Sequence, residues 1–161
     1  MLKVTLFNKT VMVANRVAAS PYVAIPGIGT GSAYASGDAF GAKFTFDVPK
    51  SGVIEAAVLL DLDDEGIETE LWLFDRDFDA TADNAAFDPS DIDLLKLVAV
   101  ISLTNFANAA SNQVAINNGL NLPYTAAAGK LYCQCVTRGT PNIAANNIPL
   151  VQLRIISHEV P

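Results

Sequence analysis

The chain has 161 residues, which suffice for one domain with a full hydrophobic core and no disulfide staples. Hydrophobic residues make up 51% and charged residues only 17%, so we expect part of the surface to be covered by another protein. The net charge of −7 argues against a nucleic-acid-binding surface. The sequence has no apolar run of about 18 residues, so no membrane partner is predicted. It also lacks a secretory leader pattern, so synthesis in a cytoplasm is expected.

The negative charge is concentrated in one stretch. Residues 61–93 contain ten Asp, three Glu and one Arg, a net charge of −12, whereas the rest of the chain carries +5. We expect an acidic face on a mildly basic body. Such a face meets a basic partner, binds cations or keeps the particle soluble.

The N-terminal part, residues 1–42, is expected to be an arm ahead of a β-sandwich domain at residues 43–161. Residues 2–7 and 11–17 are predicted to form two short strands or one extended arm. Residues 20–41 are rich in Gly, Pro, Ser and Ala, as in a long loop or extended segment. Because loops of about 20 residues are uncommon within compact domains, a neighbouring subunit is the candidate for ordering this one.

The centre of the chain, residues 51–78, is predicted to form a long β-hairpin. Its first strand, residues 53–62, is apolar on both faces, as in a strand in the middle of a sheet. A turn with Gly66 at positive φ leads into the second strand, residues 67–74. There the side chains alternate with a period of two, with Ile67, Thr69, Leu71 and Leu73 on one face and Glu68, Glu70, Trp72 and Phe74 on the other.

Further strands are predicted on both sides of this hairpin, at residues 43–48, 94–103, 113–116, 131–137 and 148–156. A single helical turn is expected near Pro89, with Asp88 as its N-cap. About eight strands at this spacing, without a long helix, predict an all-β fold: a jelly-roll-like β-sandwich with an extended N-terminal arm.

Residues suited to catalysis or cofactor binding are scarce. Cys133 and Cys135 lie two apart in a predicted strand, where a disulfide is unfavourable and two buried thiols are expected. His158 is the single histidine, too little for a thiol–imidazole metal site and poorly placed as a general base. The sequence therefore predicts no catalytic residue, no cofactor and no enzymatic activity.

The densest group of carboxylates is a weak candidate for a Ca²⁺ site. Asp75, Asp77 and Asp79 alternate along the chain. The EF-hand pattern fails, because Ala80 and Ala86 stand where Gly and Glu are needed. The alternative is an acidic loop that caps the sandwich, with Asp side chains bonded to local backbone N–H groups.

Aromatic residues are the candidates for contacts with a partner. The interface candidates are Tyr22, Tyr34, Trp72, Phe74, Phe78 and Phe87. Four of these, from Trp72 to Phe87, mixed with acidic residues, would also suit a carbohydrate groove. An interface or a half-buried sheet is favoured over the groove.

The sequence resembles a group of small virion structural proteins of tailed bacteriophages, the capsid decoration or cement proteins. The resemblance covers residues 34–155. It lies in YASGDAFG at 34–41, FTF at 44–46, SG at 51–52, Asp61 at the end of a strand, LWLF at 71–74, ADNAAF at 82–87 and SDID at 90–93.

The resemblance implies a β-sandwich or jelly-roll protein, often trimeric, on the outside of the virion capsid. It would bind copies of itself and the major capsid protein, and brace the shell against the pressure of packaged DNA. An alternative is a receptor- or glycan-binding module of a phage tail or neck. A small sandwich hydrolase is a third hypothesis, which the lack of a nucleophile–base pair disfavours.

Overall fold

The computed structural model of the chain describes the backbone of residues 2–6, 9–13 and 17–158, and the side chains of residues 18–158. The strands within these ranges are β1 (Leu2–Leu6), β2 (Lys9–Val13), β3 (Val17–Ala19), β4 (Val23–Ala24), β5 (Ala39–Asp47), β6 (Ser51–Asp61), β7 (Thr69–Phe74), β8 (Leu97–Leu103), β9 (Phe106–Ala109), β10 (Asn112–Thr125), β11 (Lys130–Thr137) and β12 (Leu150–Ser157). One short helix, α1 (Asp91–Leu94), precedes β8.

Strands β3 to β12 form two antiparallel sheets that enclose one core, which confirms the predicted all-β sandwich, and β1 pairs with β2 separately. The first sheet has the order β3–β12–β6–β10–β9, with β4 also paired to β12; the second has the order β5–β11–β7–β8. Both sheets contribute to a single cluster of buried side chains, such as Leu59 and Leu153 from the first and Leu71 and Leu131 from the second. The jelly-roll connectivity stays a prediction.

The predicted central hairpin is wrong in its pairing. β6 lies between β10 and β12, so its position in the middle of a sheet is confirmed. β7 instead pairs with β11 and β8 in the second sheet, so the chain crosses the sandwich between the two strands. The Asp61 carboxylate shapes this crossing by accepting the backbone N–H groups of Asp63 (3.0 Å) and Gly66 (2.7 Å). Gly66 has a φ of +62°, as predicted for the turn.

Side-chain alternation predicted the strands of the second sheet well. Leu71 and Leu73 of β7 are fully buried, and Phe44 and Phe46 of β5 belong to the core. β10 is much longer than the predicted residues 113–116, because it pairs with β6 over most of its length, with an irregularity between Asn118 and Leu122. On its other edge, β10 pairs with β9 over residues 112–115 only. The remaining residues of β10 form an edge of the described sheet, where a proline is tolerated.

The Gly- and Pro-rich segment, residues 20–41, packs against its own chain. β4 pairs with β12, and the backbone N–H of Tyr34 donates to the Pro141 carbonyl (2.9 Å). Ile25 and Tyr34 are buried in the core. This segment was expected to belong to an arm, but these contacts make it part of the sandwich.

Two smaller predictions concern α1 and the cysteines. Ser90, not Asp88, is the N-cap: its hydroxyl accepts the N–H of Asp93 (3.2 Å) and donates to the Asp93 carboxylate (2.7 Å). Cys133 and Cys135 are free and buried, as predicted, and burial raises the pKa of the Cys133 thiol. In the part of the chain that the structure describes, no helix is long and apolar enough to cross a membrane.

Candidate functional site

The most unusual surface of the sandwich is formed by the segment that joins β7 to β8. We call residues 75–90 the acidic loop. The loop folds back over the outer face of the second sheet, opposite the core, and is tied to the centre of that face by Gln134. The fully buried Gln134 amide exchanges two hydrogen bonds with the backbone of Thr81, of 3.0 and 2.7 Å, and also donates to the Gly41 carbonyl (3.0 Å). The acidic loop therefore covers the middle of the outer face, whereas Val100 beside Trp72 is 39% exposed.

Three of the predicted interface residues are buried and therefore do not form an exposed contact surface. Phe78 stacks on Phe74 with ring centroids 4.1 Å apart, and both rings are buried. Tyr34 is also buried, edge-on against Phe40. These three rings belong to the interior because residues 20–41 and the acidic loop pack onto the sandwich.

Trp72 and Phe87 are half-buried and contact each other, with ring centroids 5.0 Å apart. The indole N–H of Trp72 donates to Glu70 (3.0 Å), and the same carboxylate oxygen accepts Arg138 (2.7 Å). A carbohydrate groove needs an open ring face and free polar groups. Here the ring and its N–H are engaged within the chain, which favours a half-buried sheet face.

Two of the three candidate metal ligands, Asp75 and Asp77, have side-chain contacts within the chain, and Asp79 is exposed. Asp77 accepts Lys43 and the N–H of Phe78, and Asp75 accepts Arg76 (3.0 Å). No group of three or more His, Cys, Asp or Glu side chains suited to a metal ion occurs among the residues that the structure describes. The contacts of Asp77 with local backbone are those expected for a capping loop.

Asp83 is the residue that joins the acidic loop to residues 20–41. One carboxylate oxygen accepts the Tyr34 hydroxyl (2.8 Å) and the N–H of Gly41 (2.7 Å), and the other accepts the N–H of Gly29 (2.8 Å). Burial, and then the hydrogen bond to Asp83, raise the pKa of Tyr34. Sequence reasoning missed this role, because one carboxylate among thirteen acids carries no distinguishing signal.

The polarity of α1 is inverted, which sequence reasoning also missed. Asp93 is its buried residue and pairs with Lys96 (2.7 Å), whereas its apolar residues face solvent. Ile92 is 72% exposed, Leu94 40% and Leu95, directly after the helix, 81%. Asp88 and Asp91 beside them are exposed too. We call Asp88, Asp91, Ile92, Leu94 and Leu95 the acidic–apolar tip.

Tyr22, the remaining interface candidate, is 43% exposed and lies just before β4. Among residues 18–158, Val100 and Ile116 are the other large apolar residues with substantial exposure. Single exposed apolar residues are common on monomers. At the tip, by contrast, three exposed apolar residues fall within four consecutive positions.

Replacing Glu70 by Gln should lower the unfolding free energy at pH 7 by about 1 kcal/mol. The bond from Arg138, aided by the Trp72 N–H, holds the pKa of Glu70 below its ordinary value. Because the folded pKa is the lower one, this stabilisation is complete above the unfolded pKa of about 4.3 and disappears as the pH falls through the folded pKa.

Urea unfolding between pH 7 and pH 2 checks this prediction, with the exposed Glu65→Gln as the matched control. The Glu70 variant should lose less stability on acidification than the native chain, and the control should follow the native profile. Identical profiles for Glu70→Gln and the native chain would refute the ion-pair account.

Comparison of the chain with models of protein families, with curated proteins and with solved structures found no match. A functional conclusion therefore depends on the residues and geometry described above.

Proposed function

We propose that this chain is a structural virion protein, which decorates the outer surface of a bacteriophage capsid as a homo-oligomer. The expected homo-oligomer is a trimer. The observation that carries the proposal is the inverted polarity of α1, where the carboxylate of Asp93 is buried while Ile92 and Leu95 are exposed. The resemblance of residues 34–155 to capsid decoration proteins points in the same direction.

The tip matters because exposed apolar side chains cost free energy until a partner covers them. Burying one Ile or Leu side chain fully contributes roughly 1.5–3 kcal/mol. Three such residues together therefore provide several kcal/mol per contact, and a symmetric assembly repeats each contact. A decoration protein needs this property, since it binds many equivalent positions at once.

The position of the acidic loop over the middle of the outer face of the second sheet supports a protein-binding role over a carbohydrate-recognition role. Gln134, Phe78 and Phe87 hold the acidic loop against that face. The surface suited to partners includes the tip, the edge of β10 and the exposed residues Tyr22, Val100 and Ile116. One contact through the tip and another elsewhere would join the chain to a second copy and to the shell.

A binding assay with purified phage shells that lack the protein tests the proposal. The chain should bind saturably, with a copy number related to the shell symmetry, and should raise the temperature at which the shell disrupts. Shells that already carry their full complement are the control and should take up no more protein. Absence of saturable binding at micromolar protein would contradict the proposed function.

A further inference from the structure

The N-terminal hairpin, β1–β2, has a backbone ladder without a third strand in the described part of the chain. Its register places Leu2 opposite Val13 and Val4 opposite Val11. A two-stranded ribbon is marginally stable in water on its own, and needs a further strand or an apolar surface against which to pack. A surface against which the ribbon packs would therefore stabilise it.

The charge of this region is opposite to that of the acidic loop. Residues 1–17 contain Lys3, Lys9 and Arg16 and no acid, a charge of +3. The acidic loop contains five Asp against Arg76, a charge of −4. Asp75, Asp77 and Asp83 are engaged within the chain, so the exposed carboxylates at the tip are those of Asp88 and Asp91. The two segments thus attract each other at the ionic strength of a cell, over distances of about 8 Å.

We propose that the β1–β2 hairpin of one copy docks onto the acidic–apolar tip of a neighbouring copy. The hairpin supplies aliphatic ladder positions flanked by cations. The tip supplies exposed Ile92, Leu94 and Leu95 flanked by the carboxylates of Asp88 and Asp91. The inference rests on the proposed function, since it names the surface through which the homo-oligomer forms.

The contact joins two different surfaces, so it is a heterologous one. Repeating it around an axis closes a ring when the rotation between copies divides a full turn, and a ring of three copies matches the threefold axes of an icosahedral shell. A ring of this type leaves the β10 edge and Tyr22 free for the shell.

Sedimentation velocity of the full chain over a wide concentration range, without any capsid, tests this proposal. The double variant Ile92→Ser, Leu95→Ser should weaken self-association by roughly 10-fold or more. The control Ile116→Ser removes an exposed apolar residue elsewhere and should leave the mass unchanged. Both changes are at exposed positions, and a melting curve for each variant verifies that it is folded.

A charge swap identifies the hairpin as the occupant. Lys3→Glu with Lys9→Glu should weaken association several-fold at low salt, and Asp88→Lys with Asp91→Lys should do the same. All four changes together should restore most of the lost affinity, and the differences should shrink in 0.5 M NaCl.

The inference is overturned if the tip variant keeps the native mass, if the four-fold variant is not rescued, or if the native chain stays monomeric at every concentration. The last result would also follow from a hairpin that docks on the tip of its own chain. None of these outcomes decides whether the chain binds shells, which the binding assay measures separately. Conversely, failure to bind shells by a chain that self-associates through the tip contradicts the proposed function alone.

Discussion

Replacing Gly41 by Ala should lower the unfolding free energy by about 3 kcal/mol, the largest effect of a single methyl group that we expect in this chain. Gly41 has a φ of +83°, where other residues are strained. A Cβ there would lie 2.6 Å from the Ile25 Cγ2 and 2.7 Å from the Pro26 carbonyl oxygen. That carbonyl accepts the N–H of Ala42 (2.7 Å), so it cannot move away freely.

Gly31→Ala is the matched control, because Gly31 has a similar φ of +76° but no atom within 4 Å of the added Cβ. It should cost only about 1 kcal/mol, the backbone term alone. Chemical denaturation of both variants gives the two free energies. Equal losses would show that residues 25–26 do not pack against Gly41 as described.

Replacing Asp83 by Ala should lower the unfolding free energy by a similar amount, about 3 kcal/mol. The change removes the acceptor for the Tyr34 hydroxyl and for the N–H groups of Gly29 and Gly41. All three donors would lose their partner in a region that is at least partly buried. The acidic loop would also lose its connection to residues 20–41.

Asp79→Ala is the control for this experiment. Asp79 is an exposed acid of the same loop, so its replacement removes the same charge and should change the stability by less than about 0.5 kcal/mol. Denaturation at pH 7 compares the two. If Asp83→Ala is as mild as its control, Asp83 is one more solvated acid and not a structural centre.

The parts of the fold that depend on local alternation were predictable from the sequence. The buried positions of β7, the burial of Phe44 and Phe46 in β5 and the free thiols of β11 follow from a period of two and from residue type. The crossing from β6 to β7 was not predictable. An Asp- and Gly-rich turn can join two paired strands of one sheet or two strands of different sheets. Only the pairing partners of β6 and β7 show which connection forms.

Burial of Tyr34, Phe74 and Phe78 depends on contacts between segments far apart in sequence. Their aromatic side chains suit an interface or a core equally well until the acidic loop and residues 20–41 are placed. The tip was missed for a related reason. Nothing in the sequence after Pro89 indicates that α1 turns Asp93 inward and Ile92 outward.

The most direct test of the central claim is to locate the chain in intact phage particles made by cells that express it. The account predicts symmetric clusters of copies on the outer surface of the shell, with a copy number in fixed proportion to the major capsid protein. Particles that contain none of it, or a few copies confined to the tail or neck, would contradict a role as a capsid decoration protein.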